Sequence, residues 1–221
     1  MASYDVITFD CYGTLVDWDE GIGSAFENAA AAAGVEIHRP AVLEAWARIE
    51  PQIQRGPYRR YRDVVAETAV RVARHWGWEL GASERAFVAD SLSRWKPFPD
   101  TNPALERLAA AGCRLAVLSN VDDDLFAWTR RTFTVELDWV VTAQQVGAYK
   151  PAEPHFLEAR RRIGAARWLH AAQSRYHDIA PARALGIPSA WVNRRNETAA
   201  GGASPDYEVA DLAALAALVC G

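Results

Sequence analysis

Residues 5–17 of the chain read Asp-Val-Ile-Thr-Phe-Asp-Cys-Tyr-Gly-Thr-Leu-Val-Asp. The apolar residues at the start of this segment are β-branched or aromatic, which predicts a short buried strand, and Gly13 then predicts a turn. Asp10 therefore falls at the carboxyl end of the strand, where open α/β sheets bind their ligands. An Asp at this place can simply cap a turn, but it is also a candidate nucleophile.

Three more groups of polar residues follow apolar runs further along the chain. They are Ser119-Asn120 after residues 115–118, Lys150-Pro151 after residues 140–148, and Asp178 after residues 168–172. With Asp10 first, this ordered set resembles the four motifs of the haloacid dehalogenase superfamily over essentially the whole chain. The resemblance implies an α/β fold, in which a helical cap domain is inserted into a Rossmann-like, doubly wound and mostly parallel sheet.

Two positions separate the branches of that superfamily. Its phosphatases carry a second Asp two residues after the nucleophile and an acidic pair in the last motif that helps to hold Mg²⁺, whereas this chain has Tyr12 and Gln173. A neutral amide is a poor ligand for a hard cation that prefers carboxylate oxygens. The chain thus resembles the (S)-2-haloacid dehalogenases, which act without a cofactor, and we expect neither a metal nor a cofactor.

The resemblance also implies roles for individual residues. Asp10 would attack the α-carbon of a small 2-halocarboxylate and form an ester, and water would then hydrolyse that ester. Lys150 would keep Asp10 ionised, because a nearby cation lowers a carboxyl pKa. Asp178 would orient Lys150 or activate the water. The predicted catalytic residues are Asp10, Ser119, Lys150 and Asp178, and the predicted substrate-binding residues are Cys11, Tyr12, Arg48, Asn120 and Ser174.

Some of these roles imply specific contacts. Ser119 would hydrogen-bond the nucleophilic carboxylate, and Asn120 would help to hold the halide. Backbone N–H groups near Cys11 and Tyr12 could bind the carboxylate of the substrate or the oxyanion of the ester. His177 is adjacent to the last motif residue and is expected to be structural.

The chain departs from the dehalogenase pattern where the leaving group would bind. The resembling enzymes place an arginine for the halide directly after a Trp of the first cap helices, but Ala47 follows Trp46 here. Arg48, Arg59 or Arg62 would have to replace that arginine. A Tyr of the family is Phe156 in this chain, which keeps an aromatic wall but loses the hydroxyl.

These departures leave other functions open. A related hydrolase could open the ring of azetidine-2-carboxylate by the same chemistry, with a proton donor in place of the halide site. A Mg²⁺-dependent phosphatase is disfavoured by Tyr12 and Gln173. A non-catalytic binding protein would have no need for all five motif residues together.

Hydrophobic periodicity divides the chain into two kinds of segment. Residues 17–96 show helical periodicity without a convincing strand, which predicts a cap domain, and residues 1–16 and 97–221 are predicted to form the α/β core domain. The predicted cap helices are 22–33, 41–54, 61–78 and 84–95. In the core we predict strands at 113–118, 139–142, 168–172 and 188–192, helices at 102–111, 125–132, 154–163, 179–185 and 211–219, and a loop at 201–205.

Composition limits the partners of the protein. The chain has 221 residues and a formal net charge of −4, which predicts binding to neither nucleic acid nor an anionic membrane. Its three cysteines are far apart, and it has neither a signal-peptide pattern nor an apolar run long enough to span a bilayer. We therefore expect a cytoplasmic protein that acts on a small molecule. Dimers are common among the resembling enzymes, so the chain could form a homodimer.

Overall fold

A parallel sheet of six strands forms the centre of the computed structural model, which describes residues 2–198 and 202–221. The strands are β1 (Val6–Phe9), β2 (Arg114–Ser119), β3 (Trp139–Thr142), β4 (Trp168–Ala172), β5 (Ser189–Val192) and β6 (Tyr207–Val209). Their order is β3-β2-β1-β4-β5-β6, and all neighbours are parallel. This is the order of a doubly wound Rossmann-like sheet, so the predicted fold class is confirmed.

Helices surround this sheet and fill the segment between β1 and β2. They are α1 (Trp18–Ala33), α2 (Arg39–Gln54), α3 (Tyr61–Ala73), α4 (Phe87–Ser91), α5 (Thr101–Ala110), α6 (Asp123–Arg130), α7 (Ala143–Val146), α8 (Pro154–Ile163), α9 (Ala180–Ala184) and α10 (Leu212–Cys220). Short 3-10 turns follow α3 and α4, and a π-helical turn, Arg175–Ile179, precedes α9.

Both faces of the sheet are covered, as the alternation of side chains along β1 requires. Ile7 and Phe9 belong to the larger apolar cluster, which includes residues of α5 and α10. Val6 belongs to a second cluster with residues of α8 and α9. Because successive side chains of a strand point to opposite faces, β1 is buried from both sides and its carboxyl end is fixed in position.

Residues 17–96 leave and rejoin the core at one point. Val16 pairs with Pro97 in an antiparallel bridge, and the backbone N–H of Asp17 donates to the carbonyl of Lys96. Between these points the chain forms only helices and turns. The division into a core domain (1–16 and 97–221) and a cap domain (17–96) stays a prediction. The fact that the chain leaves and rejoins the core at one point supports it.

Several element boundaries differ from the sequence predictions. Helix α1 begins four residues early, at Trp18, because the Asp17 side chain accepts a hydrogen bond from the Glu20 N–H and caps the helix. Helix α3 stops at Ala73 and a 3-10 turn continues to Trp76, where Gly77, at φ 64°, ends it. The predicted helix 84–95 is reduced to α4 and a 3-10 turn.

Two short elements were not predicted, namely α7 and β6. In the predicted loop 201–205, residue Gly201 lies outside the described residues, and the other four residues are in neither helix nor strand. Met1, the first residue of the predicted core domain, also lies outside the described residues. The remaining predicted core elements agree with the structure to within a few residues at each end.

Candidate active site

The motif residues converge at the carboxyl ends of β1, β2 and β4. Asp10 follows β1, which lies between β2 and β4 at the point where the strand order reverses. Ser119 ends β2, and Asp178 lies in the π-helical turn after β4. A reversal point of this kind is where open α/β sheets bind ligands, so the fold alone makes this edge the candidate active site.

Lys150 connects the two carboxylates. Its Nζ donates to Asp10 Oδ1 at 2.9 Å, to Asp178 Oδ1 at 2.6 Å and to the Leu118 carbonyl at 2.8 Å. The side chain is buried, and an ammonium has three N–H groups. All three are therefore occupied, and Lys150 has no proton left with which to bind a further anion.

Electrostatics keep Lys150 and Asp178 charged. Burial by itself lowers the pKa of Lys150, but the charges of Asp10 and Asp178 raise that pKa above its ordinary value. Burial also opposes the ionisation of Asp178, yet the charge of Lys150 and the hydrogen bond from His170 hold the pKa of Asp178 well below its usual range. The site thus combines a buried ammonium with an Asp178 carboxylate that is held in its ionised form.

Asn120 holds Lys150 in place through the backbone. Its Oδ1 accepts from the Lys150 N–H at 2.7 Å, and its Nδ2 donates to the Lys150 carbonyl at 3.2 Å. This pair of bonds fixes the loop that carries the ammonium. One N–H of the Asn120 amide remains for a ligand, so the predicted role in halide binding would rest on that single donor.

The predicted hydrogen bond from Ser119 to Asp10 is wrong. Among the described residues the Ser119 hydroxyl, although buried, has no hydrogen-bond partner. The second oxygen of Asp10, Oδ2, instead accepts from Thr14 Oγ1 at 2.8 Å. The reason is local: the N–H groups of Leu15 and Val16 both donate to the Cys11 carbonyl, and this turn brings Thr14 back towards Asp10.

His170 supports Asp178 from inside the sheet. Its Nε2 lies 3.0 Å from Asp178 Oδ1, and its Nδ1 lies 2.8 Å from Thr8 Oγ1. The Thr8 oxygen also accepts from Trp168 Nε1 at 2.7 Å, and an indole nitrogen can only donate. All partners are satisfied when the Thr8 hydroxyl donates to Nδ1 and His170 donates from Nε2 to Asp178.

This arrangement leaves one oxygen of Asp178 unused. Both hydrogen bonds to the carboxylate end on Oδ1, and Oδ2 has no partner among the described residues. Asp178 also lines the cavity in front of Asp10. An ionised oxygen with a free lone pair beside the nucleophile can accept a proton from water.

A cavity of about 230 Å³ separates this cluster from the helical segment. Its lower wall includes Asp10, Ser119, Asn120, Lys150 and Asp178, and residues of α2 and α3 form its upper wall. The volume is below the roughly 300–1,000 Å³ that is typical of pockets for drug-sized ligands. The cavity therefore suits a substrate of only a few heavy atoms.

The cap arginines do not reach this cavity. Ala47 lines it, but Arg48 is exposed and absent from the lining, because successive residues of a helix point about 100° apart. Arg59 pairs with Glu67, and Arg62 pairs with Asp90 and Asp124. The assignment of Arg48 to substrate binding is therefore corrected, and within the described residues no arginine lines the cavity.

Glu50 occupies the upper wall and was not predicted as a site residue. Its Oε2 accepts from Trp46 Nε1 at 3.1 Å, and its Oε1 accepts from the Tyr61 hydroxyl at 2.7 Å and from Gln54 Nε2 at 3.2 Å. Burial raises the pKa of Glu50, and the hydrogen bonds from Tyr61 and Trp46 only partly oppose this effect. A carboxyl one turn beyond Trp46 on the cavity-facing side of α2 could have been noticed from helical spacing.

The other predicted binding residues take different positions. Cys11 is fully buried, so only its backbone is a candidate ligand. Tyr12 lines the cavity and its hydroxyl bonds Thr129 Oγ1 at 2.7 Å. Within the described residues, the N–H groups of Cys11 and Tyr12 donate to no backbone carbonyl. They remain available for a ligand.

Ser174 and His177 form a pair at the edge of the cavity. The Ser174 oxygen accepts from the His177 N–H at 3.0 Å and lies 3.1 Å from its Nδ1. Burial lowers the pKa of His177. Phe156, the replacement for the family tyrosine, is fully buried outside the cavity lining and packs edge-on against His170 at 5.3 Å.

No cluster of three His, Cys, Asp or Glu side chains suited to a metal ion occurs in residues 2–198 and 202–221. In the same residues no helix combines the length and the apolar character needed to cross a membrane. The expectations of no metal and no cofactor stay predictions.

Comparison with known proteins gives consistent matches over the chain. The family model described as a haloacid dehalogenase-like hydrolase matches residues 4–187. An (S)-2-haloacid dehalogenase of Pseudomonas sp. (strain YL) is 31% identical and covers 96% of this chain and 93% of its own length. Haloacetate dehalogenase H-2 of Moraxella sp. (strain B) is 26% identical and covers 88% of both chains.

Solved structures show the same fold. A defluorinating L-2-haloacid dehalogenase superposes with a TM-score of 0.86 at 22% identity and covers 99% of this chain and 96% of its own. An L-2-haloacid dehalogenase from Xanthobacter autotrophicus, with chloropropionic acid covalently bound, gives 0.84 at 20% identity and covers 97% and 98%. The sequence-based assignment of fold and branch agrees with these matches.

Proposed function

The chain belongs to the haloacid dehalogenase-like hydrolase family, and from this premise we propose that it hydrolyses the carbon–halogen bond of small 2-haloalkanoic acids, converting an (S)-2-haloacid into the (R)-2-hydroxy acid. The observation that carries the proposal is the position of Asp10. Its carboxylate is held by Lys150 and Thr14 at the reversal point of the sheet and borders a small cavity.

Asp10 acts as the nucleophile in the first step. One carboxylate oxygen attacks the α-carbon, halide leaves from the opposite side, and an ester forms with inversion. Lys150 and Thr14 each donate to a different oxygen of Asp10. Whichever oxygen becomes alkylated, the other keeps a donor that stabilises the negative charge developed when water attacks the ester carbonyl.

Asp178 acts in the second step. Its Oδ2, which has no partner among the described residues, takes a proton from the attacking water, while Lys150 holds Oδ1. Hydrolysis of the ester releases the hydroxy acid, whose new oxygen comes from Asp10. The same hydrolysis leaves a water oxygen in the Asp10 carboxylate, and only a later turnover can pass that oxygen on to product.

The substrate carboxylate binds beside the nucleophile. The Ser119 hydroxyl has no protein partner, and the N–H groups of Cys11 and Tyr12 are available at the same turn. These donors can hold a carboxylate with no arginine, and they orient the α-carbon towards Asp10. Ser119 thus has a proposed role in substrate binding in place of the predicted contact with Asp10.

Halide release and isotope labelling test this proposal. We expect (S)-2-chloropropionate to release chloride at a rate unchanged by EDTA, and Asp10→Asn to reduce release to background with an unchanged circular dichroism spectrum. Asp63→Asn, on the exposed face of α3, is the matched control. In a single turnover in heavy-oxygen water the label should enter Asp10 and not the product. Label that enters the product directly would contradict the covalent step.

We further propose that the protein acts in the cytoplasm and needs no cofactor. The three cysteines are free thiols, two of them buried, which is compatible with a reducing compartment. Homodimer formation is also a proposal, and light scattering during gel filtration tests it directly.

A further inference from the structure

The upper wall of the cavity carries an acid where a halide site would need a cation. Ala47 and Glu50 lie one turn apart on α2, and both line the cavity. Among the described lining residues Lys150 is the only Lys or Arg, and its three N–H groups are already used by Asp10, Asp178 and Leu118. No lysine or arginine of this cavity is therefore free to stabilise a departing chloride or bromide ion.

The Glu50 carboxyl is held so that it faces the substrate space. Trp46, Gln54 and Tyr61 donate to its two oxygens, and each of these donors is neutral. Burial raises the pKa of this carboxyl above its ordinary value. After a proton has left, the same three hydrogen bonds would stabilise the carboxylate, because hydrogen bonds to an ionised acceptor are stronger.

We propose that Glu50 donates a proton to the leaving atom while Asp10 attacks the α-carbon, so that the site is adapted to a leaving group that departs with a proton, fluoride above all. The proposal rests on the function proposed above. Fluoride is the most basic halide ion and the strongest hydrogen-bond acceptor among them, so it gains most from general acid catalysis.

The step balances in atoms and charge. A bond forms from an Asp10 oxygen to the α-carbon, the carbon–fluorine bond breaks with its electron pair on fluorine, and the Glu50 proton converts fluoride into HF. Water then hydrolyses the ester and yields the hydroxy acid and one proton, which returns through solvent to Glu50. An amine leaving from a strained ring would take up the proton in the same way.

The cavity geometry supports this assignment. Asp10 extends from the end of β1 and Glu50 from the facing helix α2, and the volume between them is only about 230 Å³. A small 2-substituted acid bound through Ser119 and attacked by Asp10 would have its leaving atom directed away from Asp10. That direction leads to the wall formed by α2 and α3.

A matched pair of substrates tests the proposal. The variants are Glu50→Gln and, as control, Glu44→Gln, an exposed glutamate of the same helix. We expect Glu50→Gln to lower kcat/KM about 100-fold for (S)-2-fluoropropionate, in line with the roughly 10²–10⁴-fold contribution of general acids, and less than about threefold for (S)-2-chloropropionate. Glu44→Gln should change neither. Azetidine-2-carboxylate is a third substrate, for which Glu50→Gln should also abolish any ring opening.

The possible failures are distinguishable. An equal loss on the fluoro and chloro substrates, or no loss on either, overturns the proton transfer and leaves the dehalogenase function intact. If the wild-type protein releases halide from neither acid, the proposed function itself fails. Ring opening of azetidine-2-carboxylate that requires Glu50 would in that case support the proton donor and replace the substrate class. Thermal unfolding of each variant shows whether a loss follows from misfolding.

Discussion

His170 is a polar side chain in the buried centre of the sheet, and its hydrogen bonds explain its position. Thr8 and His170 are direct neighbours in the register of β1 and β4, and Trp168 fixes the direction of the Thr8 hydroxyl. The chain of bonds ends on Asp178 Oδ1 and leaves Oδ2 free. We therefore propose that His170 acts in the hydrolysis step by positioning Asp178.

Replacement of His170 by leucine should slow ester hydrolysis more than ester formation. Loss of a hydrogen bond to a charged group costs about 1.5–3 kcal/mol, so we expect hydrolysis to slow by about tenfold or more. The aspartyl ester should then accumulate, visible as a burst of halide equal to the enzyme concentration and as an adduct in the intact-protein mass spectrum.

Thr8→Val provides the companion experiment to the histidine variant. It removes the donor to Nδ1 without touching Asp178, so the histidine tautomer is no longer fixed and a smaller accumulation of ester should result. If His170→Leu slows both steps equally and no ester appears, the role of His170 is structural only.

Individual residues also mark the limit of what could be predicted from the sequence. Asp10, Lys150 and Asp178 were found because each follows an apolar run in a known order, and strand ends of a parallel sheet meet at one edge. Thr14 and His170 were missed because their contacts depend on the turn after β1 and on strand register, which the motif pattern does not contain.

At the scale of elements, apolar runs bounded by turn residues predicted structure well. The predicted bounds of β3, β4 and α8 agree with the structure at both ends, because each run is flanked by polar or turn-forming residues. Helix α7 has four residues and strand β6 three, too few to show a period of 3.6 or 2. Those two depend on tertiary contacts and could not be predicted from local pattern.

Helix α8 is joined to β2 by a histidine that must stay neutral. His155 is fully buried, and its Nε2 lies 3.2 Å from the Ser119 carbonyl, to which it donates. Burial and the nearby charge of Lys150 lower the pKa of His155 to about 3, from an ordinary value of 6.5. The folded protein therefore resists protonation at this position.

Acid should destabilise the fold through this histidine. Between pH 6.5 and about 3 the unfolded chain binds the proton and the folded chain does not, so the free energy of unfolding falls with falling pH, by up to about 1.4 kcal/mol per unit from this group. We expect His155→Gln, which can donate but does not titrate, to have a smaller loss of stability between pH 6.5 and 4.

Urea unfolding at pH 7, 6, 5 and 4 measures this difference. The wild-type slope of stability against pH should exceed the slope of His155→Gln throughout the interval, even if the variant is less stable at pH 7. Identical slopes would show that His155 does not titrate on unfolding. His38→Gln, at an exposed site before α2, is the matched control.

At the scale of the whole molecule, one carboxylate from residues 97–221 accepts hydrogen bonds from the N-terminal N–H groups of α3, a helix of residues 17–96. Asp122 accepts from the backbone N–H groups of Tyr61 and Arg62, both at 3.0 Å, and its side chain is fully buried. Arg60, at the N-cap position of α3, makes no side-chain capping bond. The Asp122 carboxylate thus makes the N-terminal capping bonds of α3 in place of Arg60. Although Asp122 is itself the N-cap residue of α6, its side chain gives no capping bond to that helix.

This contact connects the fold to the proposed leaving-group site. The N–H of Tyr61 is bound by Asp122, and the hydroxyl of Tyr61 donates to Glu50. Asp122→Ala should cost about 1–2 kcal/mol, the usual effect of losing a helix cap, and lower the melting temperature by about 2–8 °C for a chain of this size. KM should rise for every substrate, because the upper wall is no longer held over Asp10.

Asp124→Ala is the control that distinguishes the loss of the helix-capping bonds of Asp122 from the loss of one negative charge at the same place. Asp124 pairs with Arg60 and Arg62 beside Asp122, but both partners are exposed, so its contribution should stay within about 1 kcal/mol and disappear at high salt. Melting temperatures of both variants at 0.05 and 1 M NaCl, together with KM, measure the difference. If the two variants are equally stable and bind substrate equally well, Asp122 does not fix α3 over the core, and Glu50 must be held in position by α2 alone.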